Sequence, residues 1–212
     1  MTDSKRILNE FYNLCVEARC DFDLYRSAFE QHPKQTTLCI DAAPFFFNDI
    51  ARILTRYLVI HICRLTDPAG KGAKKNLTTN YIVTALPWPD KVRDHLGAAN
   101  ELLMTFRAKL EPARNRRIAH TDLHSQVNRL ERMGTFNKGE DITFFADLQT
   151  FYDIAHRELF GTSAPAIAAA GSTDTHYVFR AFAKAKLYDR CYRCTDRQRN
   201  TDVLDLEDHY IG

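Results

Sequence analysis

The chain has 212 residues, 45% hydrophobic and 26% charged, a globular composition that rules against wholesale disorder. Its 29 basic and 27 acidic residues leave a net charge of +2, so overall charge neither demands nor excludes a nucleic-acid partner. That length suits one substantial core and is short for two independent domains.

In chain order, Ser4 to Phe29 predicts one long helix, with Ile7, Leu8, Phe11, Leu14, Cys15, Ala18, Phe22, Leu24 and Tyr25 at near-helical spacing. His32-Pro33 ends it, because a residue before proline is pushed out of the α region. A second helix is predicted from Pro44, suited to a first turn, to Thr66. Its inner stripe is read as Phe47, Ile50, Leu54, Tyr57, Leu58, His61 and Leu65, and Asp67-Pro68 closes it. A glycine- and lysine-rich loop follows, then a short helix from Thr78 to Leu86 stopped by Pro87-Trp88-Pro89. Another long helix runs from Asp90 to about Leu110, and Pro112 either interrupts it or starts a new one that continues over 113–132. Asp141 to Phe160 predicts a further helix. The expected organisation is all-α, a bundle of roughly five to seven helices in a single domain over 1–212. Its core lies at about 5–160, with a small-residue linker over 161–175, a C-terminal helix over 176–190 and a weakly ordered tail over 195–212.

Six cysteines, Cys15, Cys20, Cys39, Cys63, Cys191 and Cys194, sit mostly in apolar helical stretches, where reduced thiols act as small hydrophobes. The polar start is no secretory signal, and the most apolar run, Tyr57 to Cys63, is too short to span a bilayer. A reducing cytoplasm, without a membrane, is the expected setting. Cys191-x-x-Cys194 supplies two ligands where a structural zinc needs four, so no metal and no cofactor are expected.

The stretch most suggestive of chemistry is Arg114-Asn115-Arg116-Arg117-Ile118-Ala119-His120, followed by Thr121 and Asp122. Arginine offers a permanent planar cation suited to phosphate, and histidine exchanges a proton near neutral pH. Cleavage of an RNA ester needs a base for the 2′-hydroxyl and a fixed cation for the charge growing on phosphorus oxygens. On a continuous helix Arg116 and Arg117 share a face with His120 while Arg114 points elsewhere; if Pro112 starts the helix, Arg114 lies in its first turn. Asp122 or Thr121 is a candidate to orient the His120 ring, and His61 is either a core histidine or a second residue facing the same site. The plainer reading of the whole stretch is a solvated basic helix face.

Arg114, Asn115 and His120 fit the R-x(4–6)-H signature, and the chain resembles the HEPN superfamily of helical-bundle ribonucleases and nucleotide-binding domains. Ile62 to Pro68, Lys75-Asn76-Leu77 and Ile118 to Asp122 resemble its abortive-infection, AbiU-type branch, with the likeness covering about 5–160. The resemblance implies a HEPN-like bundle that forms a homodimer, with both copies of the motif near one cleft. It implies metal-independent RNA cleavage in a phage-defence or toxin–antitoxin setting, with a cognate antitoxin or partner protein as a further expectation. It nominates Arg114 as the phosphate-stabilising cation, His120 as acid and base, and Asn115 as the polar helper, with Arg116, Arg117, Asp122 and His61 in support. The alternative function is a non-catalytic dimerisation, nucleotide-binding or protein-interaction module of the same fold.

At the C-terminus, Arg180, Lys184, Lys186, Arg190, Arg193, Arg197 and Arg199, set against Asp189 and Asp196, interleave with Phe179, Phe182, Tyr188 and Tyr192. Aromatics among cations suit single-stranded RNA, whereas an amphipathic helix packing its rings inward is the plainer expectation.

Overall fold

The computed structural model describes residues 3–30, 33–115, 136–168 and 174–193, with side chains through 188. Among them are seven α-helices: α1 Asp3–Phe29, α2 Pro33–Ala42, α3 Pro44–Thr66, α4 Thr79–Ala85, α5 Asp90–Ala113, α6 Glu140–Phe160 and α7 Asp174–Arg193. The strands among the described residues are β1 Gly70–Lys71 and β2 Lys74–Lys75, an antiparallel hairpin pairing Gly70 with Lys75 and Lys71 with Lys74. The fold is all-α, as the periodicities predict.

Two compact units emerge, one from residues 1–19 and 56–168, the other from 20–55 and 169–212. In the first, α1 turns Leu8, Phe11, Cys15 and Ala18 inward at alternating spacings of three and four, and each is at most 1% exposed. Helix α5 packs along α6 and against α4. Phe106 meets Phe144 with ring centroids 5.3 Å apart, and Phe11 meets Phe151 edge-on at 6.0 Å. Trp88 is buried and its Nε1–H donates to the Ile82 carbonyl at 2.6 Å, which fixes the exit of α4. The second unit gathers Ala28, Leu38, Cys39, Phe179 and Ala183, with Phe29, Phe47 and Phe182 against them.

Two boundaries differ from expectation. Pro33 does more than end α1: it occupies the first turn of α2, where its missing N–H costs nothing. That helix buries only Leu38 and Cys39, too few apolar positions to register as a period. Pro112 neither interrupts α5 nor starts a helix, since α5 runs through it to Ala113. Arg114 keeps helical dihedrals (φ −59°, ψ −52°), and its N–H bonds back to the Glu111 and Leu110 carbonyls. Its N–H is therefore already bonded within the helix, and it lacks the free first-turn N–H groups that a new helix would offer an anion.

On α3, Leu58, His61 and Leu65 are buried as expected, but Tyr57 is 46% exposed. Buried Ile62 and Cys63 widen the inward face of its last turns. Of the helix expected over 113–132, residues 116–132 lie outside the described residues, as do the tail over 195–212, Cys194, the side chain of Cys191 and linker residues 169–173.

Candidate functional site

Helix α3 ends at Thr66 because Asp67 precedes Pro68. The main chain there is held from α4 by Asn80, whose Nδ2 donates to the carbonyls of Thr66 (3.0 Å) and Asp67 (3.1 Å). Asn100 of α5 in turn donates to Asn80 Oδ1 at 3.0 Å. The Asp67 carboxylate is thereby presented to α5 from a fixed backbone.

On α5, Arg107, Glu111 and Arg114 recur at i, i+4 and i+7 and share one face. Arg107 Nη2 donates to Asp67 Oδ1 at 3.1 Å, and Arg114 Nη2 to Asp67 Oδ2 at 2.9 Å. Arg107 Nη1 reaches Glu111 Oε2 at 3.3 Å. Asn115 closes the ring: its Oδ1 accepts from Arg114 Nη1 at 3.2 Å and its Nδ2 donates to Glu111 Oε1 at 3.4 Å. Two guanidiniums meet two carboxylates, so the cluster is formally neutral.

Exposure separates the two arginines. The Arg107 side chain is 10% exposed and that of Asp67 16%, whereas Arg114 retains 30%. Arg107 is the structural cation and Arg114 the one that faces solvent. The bonds to Asp67 and Asn115 use one donor on each terminal nitrogen of Arg114, out of the five N–H groups a guanidinium carries. Beside the cluster, burial pushes the Cys63 thiol up to about 11, outweighing the opposing fields of Arg107 and Arg114. It is a neutral filler at ordinary pH, not a nucleophile.

Asp67 also lines a cleft of about 320 Å³ with Glu17, His61, Arg64, Lys75 and Asn76. The hairpin delivers Lys75 and Asn76 to it, since Asn76 N–H donates to the Ala69 carbonyl (2.9 Å) and its Nδ2 to that of Pro68 (3.1 Å). The hairpin turns at 72–73, where Gly72 takes φ +59°, and Gly70, at φ +80°, lets the two strands approach, because a Cβ there would collide with the Lys74 carbonyl. His61 is 7% exposed against the Tyr57 ring (centroids 4.2 Å apart), as expected of a core histidine, and it also forms part of the wall of this cleft.

Of the residues singled out in the sequence, Arg114 and Asn115 come together directly, and His61 shares the cleft with Asp67, the partner of Arg114. Arg116, Arg117, His120 and Asp122 lie outside the described residues. Asp67 and Arg107 were missed as site residues. The i, i+4, i+7 spacing of Arg107, Glu111 and Arg114 was a legible signal for the second; Asp67, 40 positions before Arg107, lies in the Ile62 to Pro68 stretch of the family resemblance but reads locally as a loop-turn residue. Among the described residues, no group of three His, Cys, Asp or Glu side chains is placed to hold a metal ion. No described helix is long and apolar enough to cross a membrane.

A family model for HEPN domains of the AbiU2 type matches residues 1–178. No curated protein and no solved structure gives a match.

Proposed function

Because the chain belongs to the AbiU2 family of HEPN domains, an abortive-infection branch, we propose that it is a metal-independent endoribonuclease with Arg114 and His120 at its reacting centre. The observation that carries this reading is Arg114 itself, fixed by Asp67 and Asn115 yet 30% exposed at the end of α5. A guanidinium restrained on one edge loses little further freedom on taking a phosphate on another.

In the proposed reaction a neutral His120 takes the 2′-hydroxyl proton as that oxygen attacks phosphorus. The O2′–P bond forms, the P–O5′ bond breaks, and a protonated histidine returns a proton to the leaving 5′-oxygen. Arg114 opposes the charge on the non-bridging oxygens, and Asn115 holds its orientation. Arg116 and Arg117 guide the RNA backbone, and Asp122 steadies the His120 ring. A homodimer supplies a second copy of each group, which allows one histidine to act as base and the other as acid. Exposed Phe45 (88%) and Phe46 (59%) at the start of α3 give that assembly an apolar surface to cover.

One observation favours a second reading. Arg114 is committed to Asp67 in a neutral cluster, as a purely structural arginine in a dimerisation or binding module would be. Incubation of a labelled single-stranded RNA with the purified chain in EDTA separates the two. Cleavage to 2′,3′-cyclic phosphate ends is expected of the nuclease, and intact RNA with an intact dimer selects the module.

A further inference from the structure

Helix α7 divides its aromatic residues in a way its composition does not foretell. Phe179 is buried and Phe182 half-buried, both against Phe47 with centroids 6.3 and 5.6 Å away. Lys186 also turns to that side, its Nζ donating to the Asp41 carbonyl at 2.7 Å. Tyr177 and Tyr188 do the opposite and stand 65% and 70% exposed.

At about 100° per residue, Tyr177, Arg180, Lys184 and Tyr188 fall within one arc of about 100°. Arg180 and Lys184 are exposed on it, and residues 176–188 contain no acidic side chain. The two cations are about 6 Å apart along the axis and the tyrosines about 16 Å, with the cations between the rings. The family match ends at 178, so most of this face lies beyond it.

We propose that this face of α7 is a binding surface for single-stranded nucleic acid, with bases stacked on Tyr177 and Tyr188 and backbone phosphates on Arg180 and Lys184. Charge complementarity selects a polyanion. The exposed rings select unpaired bases, because a duplex hides its base faces. An anionic membrane is the poorer occupant: the arc offers Ala181 but no large aliphatic side chain to enter the acyl region. The surface uses none of the residues of the Arg114 cluster and stands whether or not that cluster cleaves RNA.

The test uses the full chain carrying His120→Ala, so that RNA stays intact, and reads fluorescence anisotropy of a labelled oligouridylate of about 12 nucleotides. Tyr177→Ala with Tyr188→Ala is expected to weaken binding at least about tenfold, and the two Tyr→Phe changes to restore it, because the π-face remains. Arg180→Gln with Lys184→Gln is expected to lower the slope of log affinity against log salt by about 1.4, at about 0.7 per phosphate contact. Both pairs lie on the exposed face, and an unchanged helical circular dichroism signal verifies each. Four results overturn the proposal: no binding by the starting protein, equal affinity for duplex RNA, wild-type affinity after both tyrosines are truncated, or binding to phosphatidylserine vesicles in place of RNA.

Discussion

Replacing Asp67 by alanine removes the acceptor shared by Arg107 and Arg114, leaving Arg107 with Glu111 and Arg114 with the Asn115 amide oxygen. Breaking a buried pair by deleting one partner costs about 3–5 kcal/mol, since the other charge is left uncompensated. Asp67 keeps 16% of its side-chain surface and Arg114 30%, so solvent recovers part of that cost for Arg114 but little for Arg107 at 10%. Arg107 Nε is already buried with no partner among the described residues, so the guanidinium has little spare compensation. A loss of about 3 kcal/mol follows, which for a chain of this size lowers the melting temperature by about 6–12 °C. Asp49→Ala is the matched control: its pair with Arg52 is 65% and 50% exposed, and its loss costs under about 1 kcal/mol. Thermal unfolding of the two variants beside wild type is the assay. Equal stability of Asp67→Ala and Asp49→Ala would show that the cluster is solvated and does not position Arg114.

Thr78→Ala removes the side-chain cap that accepts the Tyr81 N–H at 3.2 Å, and urea unfolding is expected to record a loss of about 1 kcal/mol. Burial raises the thiol pKa of Cys15, and takes Cys39 and Cys63 to about 11, so the native state holds protons that the unfolded chain releases from about 8.5. Stability is therefore complete below about 8.5 and falls as pH rises toward 11, and Cys63→Ala should flatten the decline of the urea midpoint over that range. Phe46→Asp places a charge on a 59% exposed ring position of the surface proposed for the dimer, and light scattering at micromolar concentration should show monomer without loss of helix content.

How legible the molecule was in its sequence depends on where the information sits. The stripe Leu8, Phe11, Cys15 and Ala18 is local and periodic, and it gave the inward face of α1 directly. Pro44 and Asp67-Pro68 bounded α3 as read, because a proline's geometric demand acts on its immediate neighbours. Pro33 and Pro112 were harder for the same reason: each is compatible with more than one local outcome, and packing chose between them. Lys75-Asn76-Leu77 carries part of the family resemblance, but its delivery to the cleft beside His61 and Arg64 depends on a hairpin that turns at Gly72. The Asp67–Arg114 pair spans 47 positions, and contact at that range is a product of tertiary packing that a motif centred on Arg114 does not carry.

The central claim is that Arg114 and His120 carry RNA cleavage, and single-turnover cleavage of a labelled RNA in EDTA tests it most directly. Wild type is compared with Arg114→Ala, His120→Ala, Arg116→Ala and Arg117→Ala. The expected result is a rate loss of about 10²–10⁴-fold for His120→Ala, the usual share of general acid–base catalysis, and a loss of most activity for Arg114→Ala. Arg116→Ala and Arg117→Ala should weaken binding and its salt dependence while leaving saturated turnover near wild type. Activity that disappears in EDTA, or that survives His120→Ala undiminished, contradicts the account.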